Sequence, residues 1–380
     1  MEVRTLPEAL MAIMQERGWT QAQLGHELGV SQAWISRVCR GVADTGLAKA
    51  KELLARVGWE VRFTPSVEEP VERREFLAAA ASVVFVPSAA GSSPYLDPGY
   101  VRALADSMAR GRYELGGLPL TARALGHLKQ IDRLQINSLG GDLQAAASDL
   151  LYQASIALYD ANRLAQAEHA GVIALELAHH AEDPSARARA YDALSRVSLY
   201  RGDQLRAVKY AQRGLRIPDL SSSRLSSLHM RLGRALAGIK GNQKEARESL
   251  ERALDTRGLS PFAEAALGGD VAIGLSQLGQ YNQADRLLHE AAQAMGQWSP
   301  LFHAQYLGRQ AQTAIRAGKP ALASQYMQNL IRALPFISSA RVNARAKEII
   351  VASAKWEHIS DIRLARGHLL SMLSPEHPST

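Results

Sequence analysis

Gln32 and Arg37 stand five positions apart in a short segment of helix caps and small apolar residues. Their side chains end in planar hydrogen-bonding forks. An amide fork matches the N6/N7 edge of adenine, and a guanidinium fork matches the O6/N7 edge of guanine. Ala33 offers a methyl contact for thymine, and Ser36 offers a short hydroxyl. Trp34 is large enough either to wedge against sugar or thymine or to pack on a neighbouring helix. Such groups read bases only if an element holds them at the floor of a groove, so the residues around them decide whether the chemistry is available.

Those residues spell out two short helices and a tight turn. Thr20 and Ser31 have the right chemistry and place to cap a first and a second helix. Leu24, Leu28, Val30, Ile35 and Val38 form an apolar stripe that would fix the angle between them. Gly25 is small where the helices must approach. Gly29 supplies the left-handed backbone a tight turn needs, and Gly41 closes the second helix. A leading helix over Pro7–Glu16 and a trailing helix over Leu47–Val57 would complete a small core. Cys39, the sole cysteine, reads as a half-buried filler and excludes an internal disulfide.

The T-Q-x-x-L element at Thr20–Leu24, G-V-S-Q at Gly29–Gln32 and S-R-x-x-R-G at Ser36–Gly41 resemble lambda-repressor-like (Cro/C1-type, XRE family) domains over about 60 residues. The resemblance implies a second helix in the DNA major groove. It places Gln32, Ala33, Trp34, Ser36 and Arg37 toward bases, and Thr20, Gln21, Ser31 and Arg40 toward phosphate. Residues 1–66 carry eight basic and seven acidic side chains, although the whole chain is +7. A nearly neutral head binds a polyanion weakly. A homodimer on double-stranded DNA with an inverted-repeat operator is therefore expected. Trp59–Phe63 alternates like a short strand and is a candidate to pair with its twin across the dimer axis.

The remainder of the chain repeats. Asn162, Gly202, Gly241, Gly279 and Gly318 are each followed five residues on by an alanine, at Ala167, Ala207, Ala246, Ala284 and Ala323. The alanines recur at intervals of 38 to 40 residues. Ala174, Gly214, Ala253 and Ala291 follow seven further on. One helix pair of this size cannot bury its own apolar face, but stacked pairs can, and they form a solenoid. The pattern resembles tetratricopeptide repeats, lengthened by about four to six residues over the usual 34. It covers about residues 143–335, with a further unit from Ala340 to Leu373. By that resemblance a ligand or peptide groove would be lined by Tyr152, Tyr159, Arg189, Asp192, Arg196, Arg234, Gln305 and Gln312. The arginines could grip a carboxylate, and the glutamines could hold peptide backbone.

The expected fold class is all-α, a small helix-turn-helix head joined to an α-solenoid. The expected map is 1–66 DNA-binding head, 67–98 linker, 99–142 helical docking region, 143–373 repeats and 374–380 tail. Arg73-Arg74 with the apolar stretch behind it imitates an export signal, but its internal position points to a linker or docking helix instead. No apolar run reaches the roughly 18–20 residues of a membrane span. No Walker loop, zinc-ligand spacing or G-x-S-x-G is present. His179-His180 beside Glu182 and Asp183 read as a helix terminus rather than a metal site, so no cofactor, metal or enzymatic activity is expected. Head and repeats together resemble bacterial peptide-sensing regulators, which implies a cytoplasmic regulator with a peptide or small-molecule effector. The competing reading is a constitutive plasmid- or prophage-type DNA-binding protein whose repeats serve only oligomerisation or scaffolding.

Overall fold

The computed structural model describes residues 5–40, 47–64, 82–87, 93–134 and 140–374. The chain divides into two compact units, residues 1–104 and 105–380.

The first unit is built on α1 (Leu6–Arg17), α2 (Gln21–Leu28), α3 (Gln32–Cys39) and α4 (Leu47–Arg56). Each boundary has a local cause. Thr5 caps α1 in a capping box with Glu8, and Pro7 sits in its first turn. Gly18 ends the helix at φ 64°. Thr20 caps α2 through a second box with Gln23, and Gly29 ends it at φ 69°. Ser31 caps α3 by accepting from the Trp34 N–H at 3.2 Å. Leu24, Leu28, Ile35 and Val38 are buried together with Leu10, Ile13, Leu53, Leu54 and Trp59. Each such apolar side chain contributes about 1.5–3 kcal/mol. Gly41 lies outside the described residues.

Two strands, β1 (Trp59–Thr64) and β2 (Ser82–Pro87), form one antiparallel ladder, with Trp59 opposite Pro87 and Thr64 opposite Ser82. The strand expected over Trp59–Phe63 is present. Along one edge it pairs with this chain's own Ser82–Pro87. Part of the stretch read as linker is thus strand. Arg73 and Arg74 lie outside the described residues.

The second unit is all helix among its described residues. It begins within α5 (Pro98–Leu115), followed by α6 (Thr121–Arg133). Six helix pairs follow: α7 (Gly141–Asp160) with α8 (Leu164–His180), α9 (Pro184–Tyr200) with α10 (Gln204–Leu215), and α11 (Ser222–Leu236) with α12 (Gln243–Leu254). The last three are α13 (Pro261–Gln277) with α14 (Tyr281–Trp298), α15 (Pro300–Arg316) with α16 (Pro320–Ala333), and α17 (Ala340–Ala352) with α18 (Ser360–Leu373). Five of the turns carry the repeat signature in backbone form. Asn162, Gly202, Gly241, Gly279 and Gly318 all have positive φ, between 59° and 90°. The alanine five residues later is fully buried in every case. There a small side chain lets the helices pack closely.

The first helix of each pair packs against the first helix of the next, α7 on α9, then α11, α13, α15 and α17. The unit also closes on itself. Asp160, at the end of α7 and 2% exposed, accepts from the Gly117 N–H at 2.7 Å and from the Ser339 hydroxyl at 2.8 Å. The Ser338 N–H donates to Leu115 O at 2.6 Å, and the Ser299 hydroxyl donates to Tyr113 O at 2.8 Å. A Cβ on Gly117 would sit 2.3 Å from Ala157 O, so glycine is required where this loop meets α7. These bonds tie the first helices of the unit to the fifth and sixth pairs. Among the described residues no helix is long and apolar enough to cross a membrane, and no group of three or more His, Cys, Asp or Glu side chains could hold a metal ion.

Candidate nucleic-acid interface and interior cavity

The buried stripe of α3 leaves its other face outward. Gln32, Ala33 and Arg37 are exposed, Trp34 and Ser36 are partly buried, and Ile35 and Val38 point into the core. Trp34, half-buried, packs against that core. Thr20, Ser31 and Arg40 are exposed, and Gln21 is partly buried. Gln32 Nε2 donates to Gln21 Oε1 at 3.3 Å, linking the start of α2 to the start of α3. Arg40 bonds Ser36 O through its Nε at 3.2 Å. Arg56 on α4 clamps the turn by donating to Leu28 O at 2.9 Å, while pairing with Glu52 at 3.0 Å. Gly25 has no room for a side chain, since a Cβ there would stand 2.9 Å from Val30 O. Cys39 is half-buried, and burial raises its thiol pKa.

In the second unit the first helices of the pairs face a common interior. A narrow well there is lined by Tyr159, Arg196, Arg231, Arg234, Gln305, Arg309, Arg341 and Arg345, among others. It adjoins a larger cavity of about 200 Å³, walled by Arg112, Tyr113, Tyr152, Phe262, Phe302 and neighbours. Arg231 bridges Asp192 at 2.8 Å and Asp270 at 3.2 Å. Arg196 pairs with Asp192 at 3.1 Å, and Arg234 pairs with Asp270 at 3.1 Å. Burial pushes the Asp192 and Asp270 carboxyls up, but the surrounding guanidinium charges outweigh it and hold both below the usual carboxylate range. Tyr159 responds in the same way. Burial raises its hydroxyl, while Arg341, Arg196, Arg234 and Arg231 bring it below its ordinary value. Arg341 also lies over the Tyr159 ring, 4.2 Å from its centroid.

Of the eight groove candidates, Tyr159, Arg196, Arg234 and Gln305 line the narrow well, and Tyr152 and Arg196 line the larger cavity. Asp192 is buried as the partner of Arg196 and Arg231. Gln312 is buried behind the well, against Arg309 and Arg345. Arg189 stands apart, paired with Asp149. Arg231, Asp270, Arg309, Arg341 and Arg345 were not among the candidates. Two of them carried a sequence signal: Asp192, Arg231 and Asp270 succeed one another at intervals of 39 residues, one repeat apart. His179, set aside as a helix terminus, bonds Leu175 O through Nδ1 at 2.8 Å.

Residues 10–58 match the Helix-turn-helix family model. The head is thus an XRE-type helix-turn-helix domain, and the second unit has a tetratricopeptide-like repeat fold. Among solved structures, the Rap protein complexed with competence and sporulation factor is similar over 93% of this chain and 98% of its own, at 13% identity and a TM-score of 0.51. PlcR of Bacillus thuringiensis, in complex with the peptide PapR7 and DNA, aligns over 97% of this chain and 99% of its own, at 11% identity and a TM-score of 0.28. YrrB, a TPR protein with an unusual peptide-binding site, aligns over 58% of this chain and 97% of its own, at 18% identity and a TM-score of 0.30. No curated protein sequence matches the chain.

Proposed function

We propose that this chain is a sequence-specific transcriptional regulator that binds DNA as a homodimer and takes a peptide or small ligand in its repeat unit. The observation that carries the reading is the outward face of α3. Gln32, Ala33 and Arg37 are presented together at the helix's exposed side, on a turn clamped by Arg56 and capped at both helices. Gln32 and Arg37 read adenine and guanine edges, Ala33 meets a thymine methyl, and Ser36 lies beside them. Thr20, Gln21, Ser31 and Arg40 hold phosphates on either side. The Gln21–Gln32 bond makes one residue's phosphate contact orient the other's base contact. With a nearly neutral head, two copies on an inverted repeat supply the phosphate contacts that one lacks.

The interior cavity supports ligand sensing over repeats that serve only as a scaffold. It is concave, mixes aromatic with charged walls, and is formed by several repeats at once. The Rap and PlcR structures carry a factor and a peptide, respectively, in their complexes. Arg112 and Tyr113 at the cavity belong to α5, which starts at Pro98 upstream of the unit boundary. A ligand that touches them acts on the segment of chain leading to the head. The reading is tested by footprinting on the gene's own upstream region. Protection by the parent, lost in Gln32→Ala and Arg37→Ala, supports it; identical footprints in both variants contradict it.

A further inference from the structure

Helix α15 turns one face into the interior through Phe302, Gln305 and Arg309. His303, Leu307 and Gln310 recur at helical spacing on another face. There they form the floor of a groove between α14 and α16. One part of it, of about 540 Å³, has Gly296 and Pro300 on one side and Ala333 and Phe336 on the other. The other part, of about 230 Å³, is bounded by Ala292, Gln310 and Tyr326, among others. His303, Leu307 and Asn329 line both, so the two are continuous. From Pro300 to Gln310 the groove follows α15 for about 15 Å. Its size is that of a small-molecule site. It shares no lining residue with the interior well or its adjoining cavity.

Three of the groove's polar side chains are already tied. His303 Nδ1 donates to Ala292 O at 2.7 Å, the Tyr326 hydroxyl donates to Asp285 Oδ1 at 2.9 Å, and Arg332 Nη2 donates to Asn329 Oδ1 at 2.5 Å. Gln310 differs from these. It is 1% exposed, and its amide nitrogen lies buried with no hydrogen-bond partner. A buried N–H of this kind costs stability until an acceptor reaches it. Among the described residues no carboxylate lines the groove. A charged acceptor would give up its water there without a buried counter-charge, since Arg332, the groove's one guanidinium, is exposed at the far end. A neutral carbonyl oxygen avoids that cost. The rest of the groove is apolar. Leu307 is buried, Pro300 and Ala333 follow it, and Phe336 stands 71% exposed at the open end. An extended chain of roughly twelve bonds spans the distance.

We propose that the groove between α14 and α16 binds a linear acyl amphiphile with an uncharged head, an amide or an ester. Its carbonyl oxygen accepts from Gln310 Nε2, and its chain runs past Leu307 and covers Phe336. This is a second ligand site of the repeat unit, and it does not depend on what the interior cavity takes.

The test titrates decanamide, decanoate and decylamine into the full chain by calorimetry. Decanamide should bind, and the two charged chains about tenfold more weakly. Octanamide and then hexanamide should each lose about a further tenfold, as two methylenes leave the groove. Gln310→Leu removes the unpartnered amide; it should melt no lower than the parent and yet bind decanamide about tenfold more weakly. Gly296→Leu lies at an exposed position where an added Cβ meets only His303, at ordinary contact distance. It should keep the parent's circular dichroism and block the chain. No binding of decanamide by the parent, or equal binding by the parent and both variants, overturns the site. Decanoate binding tightest, with that preference lost in Arg332→Gln, would seat an anion at the far end and overturn the neutral head. Self-association of the parent that is lost in Gly296→Leu, with no decanamide bound, would assign the groove to a second copy and overturn the proposal.

Discussion

Gly29 shows how much a single residue settles in this head. Its φ of 69° is left-handed, and a Cβ there would stand 2.6 Å from Arg56 Nη1, the atom that clamps Leu28 O. Gly29→Ala should therefore cost about 1–2 kcal/mol of head stability, read as a lower thermal midpoint and weaker DNA retention. The repeat turns obey a gentler rule. Gly202 has φ 81° with open space around it, and Asn162 occupies the equivalent turn at φ 59°. Gly202→Asn should thus be tolerated better than Gly202→Val, by about 1 kcal/mol in chemical denaturation. Both features were legible as glycines at a fixed spacing. The places of Arg309 and Arg345 in the well were not, because an arginine in a helix reads as solvated until a neighbouring repeat is laid across it. Arg341 and Arg345 lie in the last pair, where the glycine signature of the turn is missing and the repeat register could not be carried forward.

At the scale of elements, Asp160 joins parts of the chain distant in sequence. It holds the loop at Gly117, the cap at Ser339 and the side chains of Gln305 and Arg341. Asp160→Ala leaves a buried guanidinium and a buried N–H without their acceptor and should cost about 3–5 kcal/mol. Asp160→Asn keeps an acceptor and should cost less; the two are compared by urea unfolding. The helix pairs themselves were readable, since turn, small residue and apolar faces recur together. The closure was not, because it depends on single polar atoms from loops more than a hundred residues apart. The strand pairing was half readable. Alternation in Trp59–Phe63 marked a strand, but the partner, Ser82–Pro87, is a short apolar run that reads equally as the start of a helix.

Over the whole molecule, pH should act through a buried histidine as well as through the ion pairs. His127 on α6 is buried; burial and then the Arg123 charge lower its pKa from 6.5 to about 4. The folded state therefore disfavours the proton that the unfolded chain accepts. The contribution is fully present above pH 6.5 and is lost as pH falls toward 4, by up to about 3 kcal/mol. The parent's melting temperature should fall more steeply over that window than that of His127→Gln; parallel curves would contradict the assignment. Of the net charge of +7, only +1 lies in residues 1–66; the rest falls outside the head, where the interior of the repeat unit is lined with arginines.

The central claim, that the exposed face of α3 reads DNA for a dimer, is tested most directly by selecting operators from random duplexes with the full chain. The enriched sequences should form an inverted repeat with half-sites about one helical turn apart. Arg37→Ala and Gln32→Ala should each lose about 1–3 kcal/mol on the selected site and relax one base position per half-site. No enrichment by the parent, or the same site enriched with equal affinity by both variants, would contradict it.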